Sequence, residues 1–221
     1  MILFDIGANR GDAVIAGLNK GYKVIALEPA PKVYAALVTN FIYNPNVVPI
    51  KLAVSDTNNQ TVEFYECVED GLSTLNIDWL TKEGLPYAGK EFRPIKVTTI
   101  TIDSLAIAYG EPDLIKIDVE GGEWSVFKGM TRKYGKLCFE WTLETLKEHE
   151  EQLDYLAKLG YTEYAPQYIG HHLDEPDEWF QLTYKNNVRD WHENHKEQWV
   201  NEGWKKAGLR PTADVGMLWV K

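Results

Sequence analysis

Cysteine is scarce in this chain: two among 221 residues, Cys67 and Cys138, with no CxxC pair. That excludes a disulfide framework and a thiolate zinc site. Both cysteines lie in apolar, strand-like text and read as buried thiols in a reducing compartment. No basic run offsets the formal net charge of −10. A duplex-binding surface needs clustered cations to neutralise phosphates, so nucleic acid is not an expected partner. No apolar stretch approaches the roughly 18 residues of a membrane span, so no membrane partner is expected either. Residues 1–5 are apolar but carry no basic region and meet a carboxylate at once, which reads as no signal peptide and a cytoplasmic location. Repeats and low-complexity tracts are missing as well. What remains has the composition of a globular protein, and its length suits one domain over residues 1–221 with insertions.

The opening alternates. Residues 2–6 form a short apolar run ending at Gly7, and Val14, Ile15 and Leu18 then recur at helical spacing up to Gly21. Residues 23–27 are a second apolar run. Pro31 stands where a helix accepts its first residue, and Tyr34, Leu37, Val38, Phe41 and Ile42 carry that helix on. Residues 47–54 give a third strand. Strand–helix–strand alternation of this kind predicts a parallel sheet with helices on both faces, an α/β fold. Residues 57–100 break the rhythm with alternating segments at 62–65 and 95–102 around a polar loop, and read as an insertion built of antiparallel strands. The rhythm returns with a strand at 113–118, a helical turn or two at 123–129, a strand at 136–141, a long amphipathic helix at 143–159 and a further strand at 161–164. Residues 166–213 form a second insertion rich in tryptophan, and 215–220 close the chain as a strand. Within that insertion Val188, Trp191, His195 and Trp199 share one helical face, where packing of the helix is the preferred reading for Trp191 and Trp199.

The loop between the first strand and helix reads Asp5-Ile6-Gly7-Ala8-Asn9-Arg10-Gly11. Gly7 would permit a sharp turn and a close ligand, and Gly11 a close helix–strand contact. The helix start would offer N–H groups to a carboxylate or phosphate. Strand two ends at Glu28, which is placed to bind both hydroxyls of a ribose with its side chain in the cleft. Together they imply an adenosine-containing ligand. A dinucleotide fingerprint needs a glycine where Asn9 stands, and Asp5 suits an ammonium better than a pyrophosphate. S-adenosylmethionine therefore fits: its amine near Asp5, its carboxylate near the helix start, its ribose on Glu28, its adenine beside Ser55 and Asp56. A second acidic cluster, Asp118 and Glu120, ends the fourth core strand, and Glu140 ends the next. Ligands of open α/β sheets bind outside the carboxyl ends of the strands, so these acids converge on one predicted rim.

The segments FDIGANRGD (4–12), VIALEP (24–29), LAVSD (52–56), GLSTL (71–75), ITIDSL (100–105) and LIKIDVEGGEWSVFKGM (114–130) run in the order of the FkbM family of S-adenosylmethionine-dependent methyltransferases, which this chain resembles over residues 2–142. The resemblance implies a class I methyltransferase fold, seven-stranded with an antiparallel last strand, and methyl transfer to a hydroxyl of a sugar, glycan or secondary-metabolite-like acceptor. It places Asp5, Gly7, Ala8, Asn9, Gly11, Glu28, Pro29, Ser55, Asp56 and Asp118 around the cofactor, and Ser73 near the acceptor.

A hydroxyl is a poor nucleophile until its proton has somewhere to go, so Asp118, Glu120 and Glu140 are the candidate bases. Such a carboxylate set could also hold Mg²⁺ through oxygens, but solvated acids are commoner and no metal is assigned. Both insertions leave from the carboxyl rim and should form the acceptor pocket, with Trp179, beside Asp177 and Glu178, as the aromatic face for a sugar ring. Two other readings stand beside the methyltransferase: a nicotinamide-dependent oxidoreductase on a similar sheet, and a cofactor-binding module without catalysis.

Overall fold

Short β-branched runs broken by glycine set the first half of the chain. The computed structural model describes residues 1–69, 71–85, 87–168, 173–182, 188–203 and 215–221. The chain divides into two units, Met1–Gly135 and Lys136–Lys221. The first contains β1 (Ile2–Ile6), α1 (Asp12–Asn19), β2 (Lys23–Leu27), α2 (Pro31–Phe41), β3 (Val47–Ile50), β4 (Ala53–Val54), β5 (Thr61–Cys67), α3 (Asp78–Thr81), β6 (Phe92–Ile100), α4 (Ile102–Tyr109), β7 (Leu114–Ile117) and α5 (Glu123–Lys128). Strands pair in the order β7-β1-β2-β3, all parallel. The apolar residues of β1, β2 and β7 are almost wholly buried, as expected for strands covered on both faces.

The stretch 47–54 is not one strand. β3 pairs with β2, whereas β4 runs parallel to β6 in a separate sheet of order β4-β6-β5. The expected antiparallel insertion is present as β5 against β6, from Thr61↔Thr98 to Cys67↔Phe92. Its inner face packs Phe64 and Val97 against Ala30 and Val33 of the α2 region, which seats the insertion on the parallel sheet's helical layer. Helix α4 was not apparent from periodicity, because its first residue, Ile102, continues the alternation of β6. Its signal is a cap: the Thr101 hydroxyl accepts from the Ser104 amide at 3.2 Å while Ile102, Leu105 and Ala106 are buried.

The second unit contains β8 (Lys136–Thr142), a 3₁₀ turn (Leu143–Thr145), α6 (Leu146–Lys158), β9 (Glu163–Gln167), β10 (Phe180–Gln181), α7 (Val188–Gln198) with a π-helical extension (Trp199–Gly203), and β11 (Val215–Val220). As expected, β11 is antiparallel. It lies between β8 and β9, with Met217 opposite both Glu140 and Gln167. The two-residue β10 is an added edge strand on β9. The long helix starts with a 3₁₀ turn because Thr142 and Thr145 bind the ring of buried His149. The ring Nε2 accepts the Thr142 amide at 3.3 Å, and Nδ1 meets the Gln152 side chain at 2.9 Å. Burial holds this imidazole neutral, its pKa lowered to about 4. Trp191 packs as expected of a helix anchor, edge-on to Trp141 and 4.8 Å from the Tyr168 ring, and Trp199 stacks on Tyr168. Trp204 and the pair His171-His172 lie outside the described residues.

Candidate functional site

In the first unit Asp5, Glu28 and Asp118 all stand at carboxyl ends of adjacent parallel strands. Asp5 pairs in register with Ala26 and with Lys116. That register sets the electrostatics of the site. Lys116 is buried, and its ammonium lies 3.0 Å from Asp118 Oδ2 and 3.6 Å from Asp5 Oδ1 and donates to the Gly7 carbonyl at 3.3 Å. Asp5, expected to face a ligand ammonium, is 0% exposed and has the chain's own lysine as its cation. Lys116 was missed in the sequence because it reads as one charge within the strand LIKID (114–118). Its signal was there: a lysine flanked by isoleucines in a strand buried on both faces must have partners.

The glycine loop also differs from expectation. Gly7 and Ala8 both donate to the Leu27 carbonyl, at 3.0 and 2.9 Å, Gly11 donates to Ala8, and Asn9 donates to Glu28 Oε2 at 3.1 Å. These four amides hold the loop together and are not presented to a ligand. Gly7 has φ +76°, and a Cβ there would lie 1.9 Å from the Asp118 carbonyl oxygen. The chain after β7 therefore demands the glycine. Gly11 makes room for the ring of Phe41 at the end of α2, 2.2 Å from an added Cβ, rather than for a strand. Gly7→Ala should cost about 3 kcal/mol or more, from steric overlap and an unfavourable φ together. Urea unfolding checks it, and a loss below about 1 kcal/mol would show that the Asp118 backbone yields freely.

Glu28 does not project freely into a cleft. Its Oε1 accepts the Ala30 amide at 2.8 Å and its Oε2 the Asn9 amide, so it closes the first loop onto the start of α2. Burial raises its pKa from 4.5 to about 7, against the lowering effect of those two amides. The folded state therefore favours the protonated form. The corresponding stability is present below pH 4.5 and lost as pH rises through about 7. Ala8 is buried and Pro29 half-buried beside them. Asn9 sits in the left-handed region at φ +47°, and its Oδ1 is a buried atom with no hydrogen-bond partner among the described residues.

The remaining rim residues are fixed by neighbouring elements. Ser55, buried at the end of β4, donates its amide to Ile100, and a Cβ on Gly129 would lie 2.3 Å from its carbonyl oxygen. Asp56 exchanges bonds with the Ser125 hydroxyl on α5. Glu120, just past β7, has φ +55°, and its Oε2 accepts the Trp79 indole N–H at 3.0 Å. Its pKa is pushed up to about 8, by burial first and by the charge of Asp118 second. Gly71 lies close to the first loop: an added Cβ there would be 3.1 Å from the Asn9 side-chain nitrogen. Ser73 serves the insertion itself, its hydroxyl accepting the Cys67 amide at 3.0 Å.

In the second unit Glu140 is a partly buried residue of β8, followed by fully buried Trp141, whose indole donates to the Gln167 carbonyl at 3.2 Å. Trp179 is not where it was expected. The Lys221 ammonium lies over its ring at 3.9 Å, and the adjoining β10 pairs with Tyr164 and Glu163. Those neighbours mark the amino end of β9, the edge opposite to a carboxyl rim. Antiparallel β11 delivers Lys221 there, and the cation holds the indole.

The Methyltransferase FkbM domain family matches residues 5–163, well over half of the chain. No curated protein matches it. Among solved structures it is similar to a precorrin-6y C5,15-methyltransferase from Geobacter metallireducens, at 14% identity over 100% of this chain and 78% of the other, with a TM-score of 0.43. It is also similar to fibrillarin from Aeropyrum pernix, solved with S-adenosylmethionine bound, at 11% identity over 99% and 65% of the two chains and a TM-score of 0.44. The family match carries the assignment and sets aside the nicotinamide-dependent alternative. The chain belongs to the FkbM family of methyltransferases, α/β enzymes whose methyl donor is S-adenosylmethionine.

Proposed function

We propose that this enzyme methylates a hydroxyl of a sugar, glycan or secondary-metabolite-like acceptor. The observation that supports the reading best is the meeting of Asn9, Glu28, Asp118 and Glu120 at the carboxyl ends of β1, β2 and β7, where ligands of such sheets bind. The residues fit the donor. Asn9 Oδ1 is a buried acceptor awaiting a donor, and each Glu28 oxygen takes one amide and keeps capacity for a ribose hydroxyl. Gly7, Ala8, Gly11 and Pro29 would shape the wall of the cofactor site, Asp5 would act in it through Lys116, and Ser55 and Asp56 would hold the adenine.

Bound S-adenosylmethionine supplies a methyl group on a sulfonium. The chain's part is to place the acceptor oxygen in line with it, since orientation supplies much of the acceleration in such a displacement, and to take the hydroxyl proton. Asp118, held by Lys116, takes that proton. Glu120 lies beside it, and Glu140 is the third candidate for the role. Isotopically labelled methyl donor incubated with a panel of hydroxyl, amine and carbon nucleophiles tests the proposal. Label on oxygen supports it; label confined to nitrogen or carbon, or no transfer at all, overturns it.

Glu28→Ala should weaken S-adenosylmethionine binding by about 2 kcal/mol, roughly thirtyfold in Kd. It should also abolish the loss of stability between pH 4.5 and about 7 that the raised pKa imposes. Calorimetry and pH-resolved unfolding check the two halves separately. Unchanged affinity would show that Glu28 serves only the loop.

A further inference from the structure

The chain after β7 is gripped by the first insertion at three points. The Asn76 side chain donates to the Gly121 carbonyl at 2.9 Å. The Trp79 indole donates to Glu120 at 3.0 Å. The indole ring also fills the space over Gly121, where an added Cβ would lie 2.8 Å from it. Trp79 is 2% exposed and braced edge-on by Tyr87, with ring centroids 5.8 Å apart. The turn that carries it is anchored in turn, since Asn76 donates its amide to the Thr74 hydroxyl and Thr74 bridges to Tyr65 of β5. Glu120 itself is a non-glycine residue at φ +55°. A backbone held there persists only when its surroundings over-determine it, and such residues gather at functional sites.

We infer that Trp79 is a positioning residue of this enzyme: its N–H orients the Glu120 carboxyl next to Asp118, and its ring screens that carboxyl from water. The inference rests on the proposed role of the Asp118–Glu120 rim in the reaction. It adds a residue from the insertion that no acid–base motif marks. Within the first unit the charged groups acting on Glu120 are Asp118 and Glu123, which disfavour its ionisation, and Lys116, which favours it. The insertion contributes a neutral donor, which also favours the ion. With one oxygen committed to the indole, the other is left to face a ligand. Burial first and the charge of Asp118 second push this carboxyl up, to about 8.

The two effects of Trp79 have opposite signs and can be separated. Glu120 is followed by carbon-13 NMR of glutamate-labelled protein, its resonance assigned by its loss in Glu120→Gln. Placing benzothienylalanine at position 79 keeps the ring and removes the N–H. The Glu120 midpoint should then rise by about one pH unit, the scale of one lost hydrogen bond to a charged group. Trp79→Ala removes the ring as well and admits water, so the midpoint should fall toward the ordinary 4.5. An unmoved midpoint in the analogue protein, or shifts of the same sign in both, overturns the inference. Neither donor nor acceptor is needed for this measurement. Its failure is therefore distinct from failure of the calorimetry and label-transfer experiments that test the site itself.

Discussion

Lys116→Met is expected to destabilise the first unit by about 3–5 kcal/mol, the scale of breaking a buried ion pair by removing one partner. Lysine and methionine have similar length, so packing along β7 is nearly conserved and charge is the main change. The loss falls on two carboxyl groups at once. Asp118 loses an ammonium at 3.0 Å and Asp5, fully buried, loses one at 3.6 Å. The Gly7 carbonyl also loses a donor. Because the residues act as one network, adding Asp118→Asn to Lys116→Met should cost less than the sum of the two changes, by about 1–3 kcal/mol. Urea unfolding of the two single variants and the double variant completes the cycle. A loss below about 1 kcal/mol in Lys116→Met would mean that Asp5 and Asp118 are solvated or protonated without it.

Asp118→Asn should lower turnover by about 10²–10⁴-fold, the contribution typical of a positioned general base, while affinity for S-adenosylmethionine falls much less. The amide keeps the shape of the carboxylate but cannot accept the acceptor's proton. A group that acts only in the transition state lowers kcat and kcat/KM equally, which distinguishes this role from one in acceptor binding. The measurement uses the hydroxyl acceptor identified by label transfer. Near-normal turnover would move the base to Glu120 or Glu140. A rise in KM at unchanged kcat would make Asp118 an acceptor-binding residue instead.

Much of the fold was legible in the sequence because its signals are local. Short apolar runs that stop at Gly7 and at Glu28 marked β1 and β2, Pro31 marked the first residue of α2, and the alternation at residues 62–65 and 95–102 marked the antiparallel pair in the insertion, the second run overreaching into α4. The family was legible for the same reason, since DIGANRG, VIALEP and IKIDVEGGE are contiguous strings. They named Glu28, Asp118 and Glu120 without reference to what those side chains touch.

Only the tertiary structure decided what they touch. Lys116 meets Asp5 because β1 and β7 are parallel neighbours in that register, 111 residues apart along the chain, and no periodicity encodes such a pairing. Glu28 was read as a residue pointing at a ligand, but the loop folds back so that two amides reach its oxygens first. Gly7 read as an opening for a ligand, and the fold adds a close contact with the Asp118 backbone that only a glycine allows. Trp79 and Trp179 are both tryptophans of the two insertions, and only the second was marked by its neighbours Asp177 and Glu178. The first is delivered by the β5–β6 hairpin to the carboxyl end of β7. The second is carried with β10 to the amino end of β9. Sequence by itself determined which side chains and backbone shapes are available at each position, because those properties belong to residues. Their partners, and so their burial, charge and reach, were decided by strand order and register, which bring together groups far apart in the chain.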